Sequence, residues 1–231
     1  MHRKQQSGTT LPEILTVIAI TLVLAAFSMP YLAAAVANLR VRSAADEVAG
    51  LFQQARMAAV RDNKYYSIIV NNALSAQVRG ACVDLNWNGA CEANEPAIEM
   101  SGEVQVVFGA GIPNTTLITC GNNGSAPCPA GSVGMNYTPQ PGSAKPGFNQ
   151  RGLPCVGNPP SAEPTWPNSL CYINDPTGGP FAGKPVGFLY VLQYTGALGT
   201  SYSAVAVTPA GRATVWTYSG KDAAGNDKWV R

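Results

Sequence analysis

The chain has 231 residues, which allows one or two domains. Only 12% of its residues are charged, whereas it contains 24 glycines and 18 prolines, a composition that favours a loop-rich, β-rich exported domain over a helical cytosolic one. Its 15 basic residues include Arg3 and Lys4, and the other 13 balance 13 acidic residues, so no global field would attract nucleic acid or anionic lipid.

A basic leader precedes an apolar run that covers residues 14–37. This run contains no Asp, Glu, Lys or Arg, and about 20 apolar residues suffice to span the hydrocarbon core of a bilayer. In a secretory signal peptide the small residue at the cleavage site follows the apolar segment. Here the small residue, Gly8, precedes it. Cleavage after Gly8 would therefore remove residues 1–8 and leave the apolar helix as the N-terminus of the mature chain.

Residues 8–13 read GTTLPE. They resemble the class III leader of type IV prepilins and pseudopilins, whose order is glycine, any residue, threonine, leucine, any residue, glutamate. The resemblance implies that prepilin peptidase cuts after Gly8 and methylates the new N-terminal residue, Thr9. It also implies that Glu13 meets the N-terminal amine of a neighbouring subunit during filament assembly, which would give this membrane carboxylate the partner it needs. A plain signal anchor with an interfacial Glu13 is the alternative.

Helical periodicity continues beyond the membrane candidate, over residues 38–61. Apolar residues recur there at spacings of three and four, which predicts an amphipathic helix with one face to bury. The apolar positions are Val41, Ala45, Val48, Phe52, Ala55 and Ala59. We therefore expect an N-terminal helical segment over residues 9–61, with its first half (about 14–37) in lipid and its second half (38–61) on a globular domain. Pro30 is predicted to kink or locally melt the first half.

After Asn63 the pattern changes to short runs rich in Val, Ile, Tyr and Thr, separated by turn residues, which predicts strands. The predicted strands cover residues 65–70, 74–79, 104–108, 186–194, 203–207 and 213–218. Residues 109–185 are predicted to be a long loop region with short strands near 135–137 and 171–174. The predicted fold is α+β, with a long N-terminal α-helix packed on an antiparallel β-sheet domain that covers residues 62–231.

This layout resembles the GspH/FimT-like branch of pseudopilins and minor pilins, in which a long N-terminal helix lies on a β domain. The local resemblance is carried by residues 61–63 (RDN), 148–153 (FNQRGL) and 209–212 (PAGR). It implies a subunit of a type IV pilus or of a type II secretion pseudopilus. Such a subunit would be anchored once in the inner membrane, with residues 62–231 in the periplasm, and its partners would be prepilin peptidase, membrane lipid and other pilin-like subunits.

Residues 84–95 fit the twelve-residue calcium-loop pattern D-x-[DN]-x-[DN]-G-x₅-E. Oxygen ligands would come from positions 1, 3, 5, 7, 9 and 12 of the loop, position 7 through its carbonyl and position 9 through water, and Gly89 permits the sharp turn. These positions are Asp84, Asn86, Asn88, Ala90, Glu92 and Glu95. No helical periodicity flanks the loop, so an Asx-rich turn between strands is the alternative. Calcium is thus a possible ligand, and no cofactor is expected to be required.

All six cysteines lie between residues 82 and 171, beyond the apolar helix. An even number in an exported segment indicates disulfides formed in an oxidising compartment, although spacing alone leaves the pairing open. We expect neighbours in sequence to pair, with free thiols as the alternative. The expected pairs are Cys82 with Cys91, Cys120 with Cys128, and Cys155 with Cys171.

Basic and aromatic residues alternate near the C-terminus, a pattern that can hold DNA through phosphate contacts and base stacking. The basic residues are Arg212, Lys221, Lys228 and Arg231. The FimT branch includes DNA-binding pilins with a Gly-Arg-x-Arg turn, but residues 211–214 read GRAT and lack the second arginine. We therefore favour a solvated hairpin over a DNA site.

The only histidine, His2, lies in the predicted leader, which excludes histidine-dependent triads and histidine metal sites from the mature chain. We expect a non-enzymatic function, as a structural subunit of minor pilin or pseudopilin type. A pilus-associated module that binds DNA or calcium, and a plain membrane-anchored periplasmic protein, are the alternatives.

Overall fold

The structure is a computed structural model that describes residues 10–71, 80–86, 89–100, 103–107, 112–113, 145–157, 171–173, 186–196 and 199–231. These residues form one long helix, α1 (Leu11–Asp62), and eleven strands. The strands are β1 (Tyr66–Asn71), β2 (Gly80–Asp84), β3 (Ala97–Glu99), β4 (Val104–Val107), β5 (Lys145–Phe148), β6 (Pro154–Gly157), β7 (Cys171–Tyr172), β8 (Phe188–Gly196), β9 (Gly199–Val207), β10 (Ala213–Lys221) and β11 (Asp227–Val230).

Helix α1 begins after Thr10, whose backbone is extended, and has Pro12 in its first turn, where a missing N–H costs no helical hydrogen bond. It ends at Asn63, which adopts the left-handed conformation (φ 54°, ψ 41°) that asparagine tolerates, and the Asn63 N–H donates to the carbonyl of Ala59. The helix continues without interruption through Pro30. Local melting at Pro30, one of the two predicted outcomes, is therefore wrong, because the helical backbone continues on both sides of it; the kink stays a prediction.

The second half of α1 buries one face against the β-strands. All six apolar positions predicted for this face are buried, together with Ala44 and Leu51. The Phe52 ring meets the ring of Tyr190 in β8, with their centroids 4.9 Å apart. The amphipathic half of the predicted helix is thus confirmed as a packing element.

The strands form two antiparallel sheets. The first has six strands in the order β3-β2-β1-β5-β6-β7, and the second has five in the order β11-β10-β9-β8-β4. Phe148 from β5 and Phe188 from β8 make an edge-to-face ring contact with centroids 6.4 Å apart, so residues of both sheets and of α1 share one core. The structure confirms the predicted α+β architecture.

Strand β8 is buried on both faces. Along β8, Phe188, Tyr190 and Leu192 belong to the core beneath α1, whereas Leu189 and Val191 belong to a second apolar cluster. That second cluster also contains residues of β9 and β11, and aromatic residues of β9 and β10 pack against it. Burial of successive residues explains why β8 reads as a continuous apolar run rather than an alternating one.

Five of the six long predicted strands overlap β1, β4, β8, β9 and β10, with ends that differ by up to four residues. The sixth, 74–79, and the short strand predicted at 135–137 lie outside the described residues. The prediction of a long loop region over 109–185 is wrong for β5 and β6, whose proline and glycine residues read as turn signals. Antiparallel pairing with β1 places β5 inside the first sheet, so tertiary pairing overrides local propensity there.

Candidate functional site

The first half of α1 exposes every side chain that it carries. All residues from 10 to 36 are exposed, among them large apolar side chains such as Leu22 and Phe27. A continuous apolar surface of this kind marks an interaction with lipid or with other protein. By length and composition, this helix is suited to cross a membrane once.

Three hydroxyl groups in this half bond within the helix. The hydroxyls of Thr16, Thr21 and Ser28 donate to backbone carbonyls three or four residues earlier, at 2.8, 2.9 and 2.8 Å. In lipid no water satisfies such groups, so local bonds of this kind lower the cost of placing them in a membrane. These three hydroxyl groups therefore add little to the cost of inserting this half into a membrane.

Glu13 is the one charged residue in the first turn of α1. Its Oε2 accepts a hydrogen bond from the Thr10 amide at 3.5 Å. A carboxylate at this end is favoured by the helix dipole and by the unpaired amides of the first turn. Gly8 and Thr9, the predicted processing residues, lie outside the described residues.

The two halves of α1 meet at Arg40, which the sequence pattern did not single out. Its Nη1 bonds Glu103 Oε2 at 2.6 Å and the hydroxyl of Tyr194 at 3.3 Å. The guanidinium also lies over the Tyr194 ring, 5.8 Å from its centroid. These contacts tie the helix to Glu103, which precedes β4, and to Tyr194 in β8, at the point where its exposed apolar half ends.

Arg56 lies against two turns, residues 148–153 and 209–212, whose sequences carry the resemblance to the GspH/FimT-like branch. Its Nη1 donates to the carbonyl of Gly211 at 3.3 Å. Gly152 and Gly211 both have positive φ, and a Cβ on Gly211 would lie only 2.7 Å from the Gly152 carbonyl oxygen. The two turns are thus packed against each other and against α1, and glycine at position 211 is required by this close approach.

The predicted calcium loop connects β2 and β3, which pair as an antiparallel hairpin. The Cys82–Cys91 disulfide, with Cα atoms 5.7 Å apart, ties β2 to the middle of the loop. Gly89 has φ +76°, the left-handed conformation that the sharp turn requires. The loop therefore has a covalent and a conformational restraint in addition to its hydrogen bonds.

The first and last carboxylates of this loop point into it. Asp84 ends β2 and is fully buried, and its Oδ2 accepts from the Gly89 amide at 3.0 Å and from the Ser67 hydroxyl at 3.3 Å. Glu95 is 7% exposed, and its two oxygens accept from the amides of Leu85 and Glu92, at 2.8 and 3.1 Å.

The remaining positions of the pattern are less enclosed. Asn86 is exposed and donates to Glu92 Oε2 at 3.0 Å, Ala90 is also exposed, and Asn88 lies outside the described residues. Within the described parts of the chain, no three His, Cys, Asp or Glu side chains are grouped as metal ligands, so a cation at this loop would also need amide or carbonyl oxygens. As described, the loop is an Asx-rich turn held by its own amides, with two buried carboxylates at its base.

Two of the three expected disulfides are present, Cys82–Cys91 and Cys155–Cys171. The second joins β6 to β7, with Cα atoms 5.3 Å apart. Cys120 and Cys128 lie outside the described residues, so their pairing stays a prediction.

The C-terminal cations do not form one patch. Arg212 precedes β10 and Lys221 ends it, so about 30 Å separates them at 3.3 Å per residue. Arg231 lies over the Trp216 ring, 4.6 Å from its centroid, and Lys228 is in β11.

The aromatic residues of this hairpin are already engaged. Tyr218 contacts the rings of Tyr202 and Trp229. It also donates to Asp227 at 2.8 Å, a bond that raises the pKa of the Tyr218 hydroxyl. This arrangement matches a solvated hairpin with aromatic residues packed on the sheet.

Comparisons of the chain with protein-family models, with curated proteins and with solved structures gave no match. The described structure therefore establishes a long apolar helix on antiparallel sheets with disulfides, and any function must be argued from these features.

Proposed function

We propose that this chain is a pilin-like structural subunit, a minor pilin or pseudopilin of GspH/FimT type, that assembles into a filament through α1. The observation that carries the proposal is the division of one 52-residue helix into a half exposed on all sides and a half packed into a β domain. A membrane anchor alone needs only about 20 apolar residues and no rigid continuation into the domain.

Small residues in the exposed half fit close packing between helices in lipid, where association depends on close approach of backbones. These residues are Thr16, Ala19, Ala25, Ala26, Ala33, Ala34 and Ala35. In the proposed cycle, prepilin peptidase cuts after Gly8, the subunit waits in the inner membrane with its β domain in the periplasm, and it then enters the filament. The proposed role involves no catalysis.

Glu13 supplies the contact that orders the subunits in this proposal. Its bond to Thr10 is long (3.5 Å) and involves a neutral amide, so a free amine from an adjacent subunit would be a stronger partner for the carboxylate. A plain membrane anchor would make no such use of Glu13. A neutral residue at position 13 should therefore impair a filament subunit and leave a plain membrane anchor unaffected.

The test compares Glu13→Gln with Glu47→Gln, an exposed glutamate in the packed half of the same helix. We expect Glu13→Gln to stay in the membrane and be lost from sheared filaments, and Glu47→Gln to appear in filaments at the wild-type level. Mass spectrometry of the N-terminal peptide should show that the wild-type chain begins at Thr9. An N-terminus that keeps Met1, or absence of the wild-type chain from sheared filaments, would leave only a plain anchor. Equal filament content of the two variants would reject the proposed role of Glu13.

DNA binding is the weaker alternative, because its four candidate cations are dispersed and two of its aromatic residues pack within the hairpin. A gel-shift experiment at low salt tests it directly. DNA binding that falls when Arg212 is replaced would support a DNA-capturing pilin, and no shift would reject it.

A further inference from the structure

We infer that Asp84 and Glu95, at the two ends of the loop between β2 and β3, hold one Ca²⁺ ion as its anchoring ligands. The inference concerns this loop alone and does not depend on the proposed filament role. It starts from Asp84 Oδ1, which is buried and has no hydrogen-bond partner.

The two hydrogen bonds that Asp84 accepts do not require a charged carboxylate at this position. The Gly89 amide and the Ser67 hydroxyl both donate to Oδ2, and the single carbonyl oxygen of an asparagine would accept both bonds. Burial of a charged group costs far more than burial of an amide unless a cation or a donor compensates it. The second oxygen of Asp84 therefore calls for a partner that this loop's amides do not supply.

Among the described residues, no Lys or Arg is placed to fill that role. Neither Asp84 nor Glu95 forms an ion pair with a described Lys or Arg, in contrast to Glu103 with Arg40 and Asp62 with Arg61. Buried carboxylates are normally paired with a base or bound to a metal ion. Because no described base pairs with these carboxylates, a bound cation is the partner that fits them within the described part of the chain.

The two buried carboxylates lie at the same end of the loop. Glu95 Oε1 accepts the amide of Leu85, which directly follows Asp84 in the chain. The bonds from Gly89 and Ser67 place the Asp84 carboxyl between the loop and strand β1. A cation near Asp84 would thus be close to both carboxylates, and the Cys82–Cys91 disulfide restrains the chain around them.

The ligand chemistry favours calcium over other metals. The pattern supplies only oxygen atoms, from carboxylates, from Asn86 and from the carbonyl of Ala90. Calcium accepts six to eight oxygens in flexible geometry, whereas magnesium demands a near-ideal octahedron and keeps several waters. Because few of the ligands are ionised, we expect the loop to be half-saturated at calcium concentrations on the order of 10⁻⁴–10⁻³ M, as in extracellular modules.

The experiment uses the full chain in detergent micelles with its disulfides intact. After removal of metal with a chelator, the protein is titrated with CaCl₂ and separately with MgCl₂, and heat and thermal unfolding are recorded. We expect saturable heat with calcium, a higher unfolding temperature at millimolar calcium, and a smaller effect of magnesium.

Asp222→Asn is the matched control for Asp84→Asn. Asp222 also accepts loop amides in a hairpin, those of Ala224 and Asn226 at 2.9 Å, but it is exposed. We expect Asp84→Asn to weaken calcium binding about tenfold or more, because it removes a charged ligand, and Asp222→Asn to bind as the wild type does. Asn86→Ala, at an exposed position, removes a ligand without opening the core and should also weaken binding.

Three results would overturn the inference. They are absence of both heat and thermal shift for the wild-type chain at millimolar calcium, wild-type affinity in both Asp84→Asn and Asn86→Ala, and equal weakening by Asp222→Asn. If Asp84→Asn does not fold, the calcium affinity of Asn86→Ala decides between a calcium site and an Asx-rich turn that binds no cation.

Discussion

Phe27 and Phe52 lie in the same helix, yet Phe27 is 72% exposed and Phe52 is fully buried. The local backbone is helical at both positions, so the difference comes from the surroundings of each half. The first half is apolar on all sides, whereas the second half is apolar on one face and carries Arg42, Asp46 and Glu47 on the exposed side. A helix that meets lipid on all sides needs no polar face, whereas a helix between a protein core and water needs one. The helix is therefore one element of secondary structure built for two environments.

The largest expected effect is on the free energy of unfolding, when a buried residue of the packed half of α1 is replaced. Replacement of Phe52 by Ala removes a buried ring that contacts Tyr190 and should lower the free energy of unfolding by about 3–5 kcal/mol. The matched change Phe27→Ala should leave it within about 0.5 kcal/mol, because Phe27 contributes nothing to the core. Denaturant unfolding of both variants in detergent measures the difference, and equal destabilisation would contradict the division of the helix.

A smaller effect is expected from a charge in the exposed half. Leu22 and Met57 are similarly exposed, at 65% and 63%, but only Leu22 lies in the apolar half. Leu22→Arg should make membrane insertion less favourable by about 2.5–3.5 kcal/mol, whereas Met57→Arg faces water and should change nothing. The fraction of each variant that resists alkaline extraction from membranes is the measurement. Unchanged insertion of Leu22→Arg would show that the first half is covered by protein rather than by lipid.

The smallest expected effect is on how stability depends on pH, through Asp62 at the C-terminal end of α1. Asp62 accepts hydrogen bonds from Arg61 and from the Tyr66 hydroxyl, and these bonds, that of Arg61 most, lower the pKa of Asp62. Because the folded pKa is lowered, the stabilisation is fully present above the ordinary aspartate pKa of about 4 and is lost as the pH falls through the lower folded value.

Asp62→Asn should therefore reduce the loss of stability on acidification below about pH 4, where the wild-type carboxylate becomes protonated. The control is Asp46→Asn, at an exposed position in the same half of the helix. Thermal unfolding midpoints between neutral and strongly acidic pH provide the comparison. The same acid profile in wild type and Asp62→Asn would show that these hydrogen bonds do not contribute to stability.

Local sequence was sufficient to predict the helix, its two halves and its buried face. Helical periodicity depends only on the repeat of the backbone, so the positions of Val48, Phe52 and Ala55 on one face follow from their spacing. The same holds for most long strands, whose β-branched and aromatic residues favour extended backbone. The oxygen-bearing residues of the loop at 84–95 could likewise be read from the chain, because their spacing is local.

Only the tertiary structure decided which distant residues meet. Strands β5 and β6 carry turn-forming residues and become strands because β1 pairs with β5, a contact between segments about 80 residues apart in the chain. The contacts of Arg40 with Glu103 and of Arg56 with Gly211 join residues distant in sequence and leave no local signal. Burial of Asp84 is of the same kind, since it depends on Ser67 in the neighbouring strand and on the turn at Gly89. Spacing along the chain identifies candidate ligands, but the burial and partners that determine their charge balance exist only once the sheet has formed.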